Sequence, residues 1–570
     1  GTERVGIFRM KNNKVVIIGL DGGTFNVIHP MIEKGELPNL ASIMKNGSWS
    51  ELTSTIPPIT LPAWVSFATG MNPAKHGIYY FLSDTHRTYD EGPIVNSTYI
   101  KATSLWQILT ENDKKSIVVT VPFTYPPIEV NGVMISNIKA AQVDKMKSYP
   151  PEVIGELVDI LKLNELRIEN LKQIIDSSNN VNDIPSRIAA LHKVAVGKIA
   201  DGTIYLMDKY DWSFLMTVFQ SSDVVQHYFW AHMDKNHPNH KPSDAVKYGS
   251  IIFDTYKRID TAVGKIVEKA GEDAIIIIMS DHGASAVHKF FFTNRWLLEK
   301  GLLVLKEEKP FRTLIRKTEL ERVLTRLGLR DVLVFFPKKL RNIKVPFLKR
   351  QLKPLSEIID WSKTKAYATN TGININLNGR EPNGIVIKEK YDETVNFIKD
   401  ELSKLIDTQT GEKVTDKVYR RDEIYHGPYL EDAYDLYFTP WKSLYQPQKS
   451  LQSKDVVAFI PNEGRCVSGH HHNCVNGIFM IKGPDIKRGV KLDNPKIIDI
   501  MPTVLYLLGL KIPENIDGRV LREVINDDYL RENPVNLTTT TEYRVQQVEA
   551  ILGEEEEELR RQLKNLGYIE

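Results

Sequence analysis

Six residues of the 570-residue chain, Asp21, Thr60, Asp223, His227, Asp281 and His282, together with one histidine from His470–His472, are of the types that phosphoryl chemistry uses. Carboxylate oxygen and imidazole nitrogen suit divalent metals in such chemistry, at about four protein ligands or fewer per ion. This inventory matches two mixed Asp/His sites lying close together, with the Thr60 hydroxyl on one of them. A hydroxyl so placed loses its proton readily and becomes a nucleophile. Two cations would then stabilise the attacking and leaving oxygens of an in-line displacement at phosphorus. Asp223 and His227 stand four residues apart, so on a helix they face one way and can share an ion. Taken singly, each of these residues is more often structural, an aspartate capping a helix or a histidine filling a polar gap. Their common position at predicted strand ends is what those roles do not explain.

The elements that must position them read as follows. Val15–Leu20, Trp212–Gln220 and Ala274–Met279 are apolar runs of the kind buried on both faces of a parallel sheet. Each is followed by a carboxylate, and two bring a histidine as well. Ligands of open α/β sheets gather at such C-terminal edges. Thr60 lies in Pro57-Pro58-Ile59-Thr60-Leu61-Pro62-Ala63-Trp64. The prolines enforce an extended arrival, and Thr60 is expected as a helix N-cap with Pro62 in the first turn. Free N–H groups and the positive end of the helix dipole make that a place for phosphate. A further strand is expected at Ser116–Val121, and helical spacing over about 150–209 and 247–270. Later strands are read at Gly372–Leu377, Asp455–Ile460 and Gly477–Ile481, with a last core helix over Thr503–Leu508. The fold class is α/β, a mostly parallel central sheet with helices on both faces.

Bulk composition narrows the partners. Hydrophobic residues make up 42% and charged residues 26%, which supports a sizeable core. A net charge of +2 gives no global pull toward nucleic acid. No apolar run approaches the ~20 residues of a membrane span. The polar stretch 1–13 lacks an apolar signal-peptide centre, so it reads as an N-terminal extension of a soluble, cytoplasmic protein. The core is expected in two parts, 14–308 and 356–525, separated by a basic insertion at 309–355 and followed by a helical tail at 526–570. Basic residues interleaved with Val332–Phe336 would let the insertion face water, or meet an anionic membrane surface or substrate. In the tail, Leu559, Leu563 and Leu566 form an apolar stripe expected to dock on the body. The two cysteines, Cys466 and Cys474, make no disulfide scaffold.

The order Asp21-Gly22, Thr60-Leu61-Pro62, Thr69-Gly70, His76-Gly77-Ile78, Asp223…His227, Asp281-His282-Gly283 and a late Gly-x-His resembles the type I phosphodiesterase/nucleotide pyrophosphatase family of the alkaline phosphatase superfamily, from about Val15 to Leu521. The resemblance implies an alkaline-phosphatase-like three-layer sandwich and two zinc ions, Mn2+ being another divalent metal such sites accept. By analogy Asp21, Thr60, Asp281 and His282 hold one ion, and Asp223, His227 and the late histidine hold the other. Thr60 would carry a phospho-threonine intermediate. Gly-x-His spacing favours His471 as the late ligand, whereas the distance to Gly477 favours His472. Phe81 stands where nucleotide-type members place a phosphate-binding asparagine, and Asn96 is the candidate substitute. Thr60-Leu61-Pro62-Ala63-Trp64 lacks the Cys/Ser and arginine of a sulfatase segment. The expected activity is phosphodiester hydrolysis on a small-molecule, lipid or sugar phosphoester. The alternatives are a phosphotransferase or phosphomonoesterase and, from another class, a non-catalytic anion-binding scaffold.

Overall fold

A computed structural model describes residues 13–83, 87–136, 146–163, 184–306, 354–451, 453–461, 467–539, 551–565 and 568–569. Its centre is an eight-stranded sheet. The strands are β1 (Lys14–Leu20), β2 (Ser48–Thr53), β3 (Ser116–Val119), β4 (Gly132–Ser136), β5 (Lys147–Tyr149), β6 (Phe214–Phe219), β7 (Ala274–Met279) and the later strand Asn476–Lys482. They lie in the order β2, Asn476–Lys482, β7, β1, β6, β3, β4, β5. The run β7-β1-β6-β3-β4 is parallel. Asn476–Lys482 runs antiparallel to β7, and β5 antiparallel to β4. The three apolar runs of the sequence are thus the three adjacent central strands, with every residue of β6 and β7 buried.

Two hydrophobic cores explain why these strands read as continuous apolar runs. Val16, Ile18 and Leu20 of β1 face one core, beneath helices that include 184–209, 221–233 and 251–270. Val15 and Ile17 face the other, beneath helices 60–69, 105–111 and 500–507. With side chains alternating across the sheet, both faces demand apolar residues. Gly19 is small for a reason: a Cβ there would sit 2.7 Å from the Trp64 ring and 2.8 Å from Val218. The helix Thr60–Thr69, buried along its whole length, can therefore press directly on β1.

Several sequence expectations shift. Thr60 is the first helical residue and Ile59 the N-cap, so Pro62 falls one position later than expected. The expected helix 247–270 is two, Pro242–Tyr248 and Ile251–Ala270. The region 150–209 holds helices Glu152–Ile160 and Ile184–Lys209, with 164–183 outside the described residues. Gly372–Ile375 does not rejoin the central sheet. It belongs to a separate four-stranded antiparallel sheet within 366–440 that has its own apolar core. The basic insertion lies outside the described residues apart from Pro354 and Leu355, as do Cys466 and Leu566. Among the described residues, no helix is long and apolar enough to cross a membrane.

Candidate active site

Asp21 follows β1, Asp281 and His282 follow β7, and Asp223 and His227 lie on the helix Ser221–Met233 that leaves β6. Because Asn476–Lys482 is antiparallel to β7, the histidine run preceding it arrives at the same sheet edge. That run is clasped on two sides. Gly469–His470 pairs with Ser285–Ala286, and Ser468 N–H donates to the His227 carbonyl at 2.8 Å. Gly22, with φ +65°, lets the chain turn immediately after Asp21, and its N–H donates to Asp281 Oδ1 at 3.0 Å. All of these polar side chains are buried.

The tautomers are set by backbone carbonyls. His227 Nδ1 donates to Gly469 O at 2.8 Å, His282 Nδ1 to Gly283 O at 2.9 Å and His471 Nδ1 to Pro58 O at 2.6 Å. Each ring is thereby turned so that its Nε2 faces inward. Three Nε2 atoms converge on one space. His227 Nε2 is 3.2 Å from Asp223 Oδ2, and His282 Nε2 is 3.1 Å from Asp281 Oδ2 and 3.2 Å from Thr60 Oγ1. His282 and His471 stack at 3.7 Å between ring centroids.

Among the described residues, ligand atoms approach one another within 4.8 Å in three groups: Asp21, Asp281 and His282; Asp223, His282 and His471; His227, His470 and His471. His471 belongs to two of these, whereas His472 stacks on His470 at 3.8 Å and joins none of them. Asn96 is buried at the start of a short turn, its Oδ1 accepting from Thr98 N–H at 2.9 Å and Thr98 Oγ1 at 2.7 Å. The sequence reading counted His470 among three candidate histidines without favouring it, and it missed Tyr568. His470 enters a ligand group, and Tyr568 brings its hydroxyl to 2.8 Å from His471 Nε2 and 3.4 Å from Thr60 Oγ1.

The electrostatics fit a cation. Burial first, then repulsion from Asp281 and Asp223, raises the Asp21 carboxyl well above its ordinary value. Burial likewise raises Asp281, although His282 and the Gly22 N–H oppose it. Asp21 Oδ1 has no hydrogen-bond partner among the described residues. Crowded buried carboxylates beside imidazoles whose Nε2 atoms face inward are what a bound divalent ion would satisfy. Burial holds His470 and His471 well below the usual imidazole range and His472 at about 3, so all three present neutral rings.

His76 plays a different part. Its Nδ1 accepts from Ile78 N–H at 3.2 Å, which leaves Nε2–H to donate to Ser66 Oγ at 2.9 Å. It braces the Thr60 helix, and burial lowers it to about 3. Between that value and the unfolded value near 6.5, only the unfolded chain binds this proton. Stability is therefore retained above pH 6.5 and falls as pH drops toward 3, at up to about 1.4 kcal/mol per pH unit. The thermal midpoint should decline from pH 7 to pH 5, and His76→Gln should flatten that slope. An unchanged slope in the variant would show that other groups govern acid sensitivity.

A three-layer α/β body with buried acidic and imidazole groups at the C-terminal edge of its parallel strands defines an alkaline-phosphatase-like hydrolase. Two solved structures agree on the fold, and a third aligns more weakly. Phosphonoacetate hydrolase from Sinorhizobium meliloti 1021 is 15% identical, over 88% of this chain and 96% of that one, with a TM-score of 0.52. The alkaline phosphatase PafA is 15% identical over 90% and 99% of the two chains, with a TM-score of 0.51. A human ectonucleotide pyrophosphatase/phosphodiesterase 5 is 13% identical over 90% and 100%, with a TM-score of 0.47. Comparison with curated protein sequences gives no match. The profile of the type I phosphodiesterase / nucleotide pyrophosphatase family matches residues 15–473, and the chain belongs to that family, as a phosphodiesterase/nucleotide pyrophosphatase-like hydrolase of phosphoesters.

Proposed function

We propose that the protein hydrolyses a small-molecule phosphodiester through Thr60, with two divalent ions, zinc in the first place, held by the clustered side chains. The observation that carries this reading is the Thr60 hydroxyl, 3.2 Å from His282 Nε2, at the meeting point of buried carboxylates and three inward Nε2 atoms. Asp21, Asp281 and His282 would hold one ion beside Thr60. Asp223, His227 and His471 would hold the other, with His470 alongside. When bound, such ions neutralise the charge developing on the phosphoryl oxygens and lower the pKa of an attached hydroxyl.

The protein's own residues supply the rest. The Thr60–Thr69 helix presents Thr60 at its N-terminus, where free backbone N–H groups favour an anion. Attack of Thr60 Oγ on phosphorus forms a Thr60–O–P bond as the bond to the leaving alcohol breaks. Water then cleaves the phospho-threonine ester and restores the hydroxyl. The Gly22 N–H and the backbone carbonyls of Pro58, Gly283 and Gly469 keep the carboxylate and imidazoles in register, so the site is arranged before substrate arrives.

The test pairs elemental analysis with turnover of bis-p-nitrophenyl phosphate against p-nitrophenyl phosphate. The expected result is about two zincs per chain and preference for the diester. Monoester preference would assign the site to a phosphomonoesterase. Absence of both metal and turnover after zinc or manganese supplementation would overturn the proposal.

A further inference from the structure

Tyr568 enters the site. Helix Glu554–Asn565 docks through the buried Leu559 and Leu563, and beyond it Tyr568 and Ile569 join the apolar cluster that contains Ile59, Leu61 and Val65. The tail is fastened along its length. Tyr125 Oη donates to Glu555 at 2.7 Å, Arg560 donates to the Gly92 carbonyl at 2.8 Å, and Tyr80 Oη donates to the Tyr568 carbonyl. The Tyr568 ring lies against Phe81, with centroids 4.4 Å apart.

Ring packing of this kind leaves the hydroxyl little freedom, and it points at the reacting groups. Tyr568 Oη is 2.8 Å from His471 Nε2, 3.3 Å from His227 Nε2, 3.4 Å from Thr60 Oγ1 and 3.5 Å from Asp223 Oδ2. With His471 Nδ1 donating to the Pro58 carbonyl, its Nε2 faces the phenol as an acceptor, and Asp223 Oδ2 accepts from the same hydroxyl, so the phenol is a donor in this cluster. With cations on those nitrogens, the acceptors left within reach of the phenol are Asp223 Oδ2 and Thr60 Oγ1, and an oxygen of a phosphoryl group attached at Thr60 would join them.

On the reading of Thr60 as nucleophile, we propose that Tyr568 is a catalytic residue carried in by the C-terminal tail, donating a hydrogen bond to a phosphoryl oxygen during the displacement. The multiple anchors argue against a detachable plug. A segment that leaves to admit substrate would have to give up the Leu559, Leu563 and Ile569 burial together with the hydrogen bonds above. A neutral donor also suits this role, because it stabilises developing negative charge without competing with the carboxylates for cations.

Tyr568→Phe keeps the ring on Phe81 and removes only the donor. With bis-p-nitrophenyl phosphate it should lower kcat about 100-fold with little change in KM. Inhibition by orthovanadate, which offers the same oxygens without turnover, should weaken in parallel. A chain ending at Asn565 should lose at least as much activity. Equal or faster turnover in Tyr568→Phe or in the shortened chain would overturn the proposal and make the tail an inhibitory plug. Thr60→Ala, assayed alongside, separates the two readings. An active Thr60→Ala sinks the nucleophile assignment itself. An inactive Thr60→Ala with an unaffected Tyr568→Phe sinks only the tyrosine.

Discussion

Thr60→Ala is expected to fold, to keep its metal and to lose turnover by about 10⁵-fold, the scale seen when a nucleophile is deleted from a covalent mechanism. The structural cost of the change is small. Thr60 is the first residue of its helix, a position alanine fills without strain. What disappears is one hydrogen bond to His282 Nε2 and one longer contact to Tyr568, about 1 kcal/mol of net stability. The carboxylates and imidazoles that would hold metal are untouched. Elemental analysis and the thermal midpoint should therefore match the parent while bis-p-nitrophenyl phosphate turnover vanishes. A Thr60→Ser variant, retaining the hydroxyl, should recover a substantial part of the rate. Full activity in Thr60→Ala would mean that water or another group attacks phosphorus directly.

Much of this architecture was legible in the sequence. The central strands announced themselves because both faces of β1, β6 and β7 are covered, which forces unbroken apolar runs. Asp21, Asp223, Asp281 and their histidines were legible because a parallel sheet gathers its C-terminal ends along one edge. The rest depended on contacts that leave no periodic trace. Which late histidine turns inward is decided by the Pro58 carbonyl, 413 positions away along the chain. Tyr568 is one of 23 tyrosines and reaches Thr60 across 508 positions, so nothing local distinguishes it. The separate antiparallel sheet escaped because its strands are three to six residues long, too short for alternation to separate them from the main core. Thr60 shifted by one position because an extended Ile59 serves as N-cap without any side-chain hydrogen bond to mark it.

Asp281→Asn should change metal binding and metal-free stability in opposite directions, and that opposition distinguishes a ligand from a structural residue. Asp281 is fully buried, accepts from Gly22 N–H through Oδ1 and lies 3.1 Å from His282 Nε2 through Oδ2. An asparagine has the same shape. Its carbonyl oxygen can keep the Gly22 bond, and its amide group takes the place of Oδ2 beside His282 Nε2. Without metal, the substitution removes one of three crowded carboxylates, so repulsion on Asp21 falls and the thermal midpoint should hold or rise. With metal, a charged ligand has been replaced by a neutral one, and affinity should drop steeply. Saturating zinc at about a thousand times its Kd would stabilise the parent by about 4 kcal/mol, a gain the variant should largely lack. Calorimetric midpoints of chelated and zinc-loaded protein, for parent and variant, measure all four corners. If Asp281 only braced the Gly22 turn, a bond the asparagine keeps, zinc would raise the midpoint of the variant as much as that of the parent. A large zinc-induced rise that survives in Asp281→Asn would remove Asp281 from the ligand set, leaving Asp21 and His282 to hold that ion.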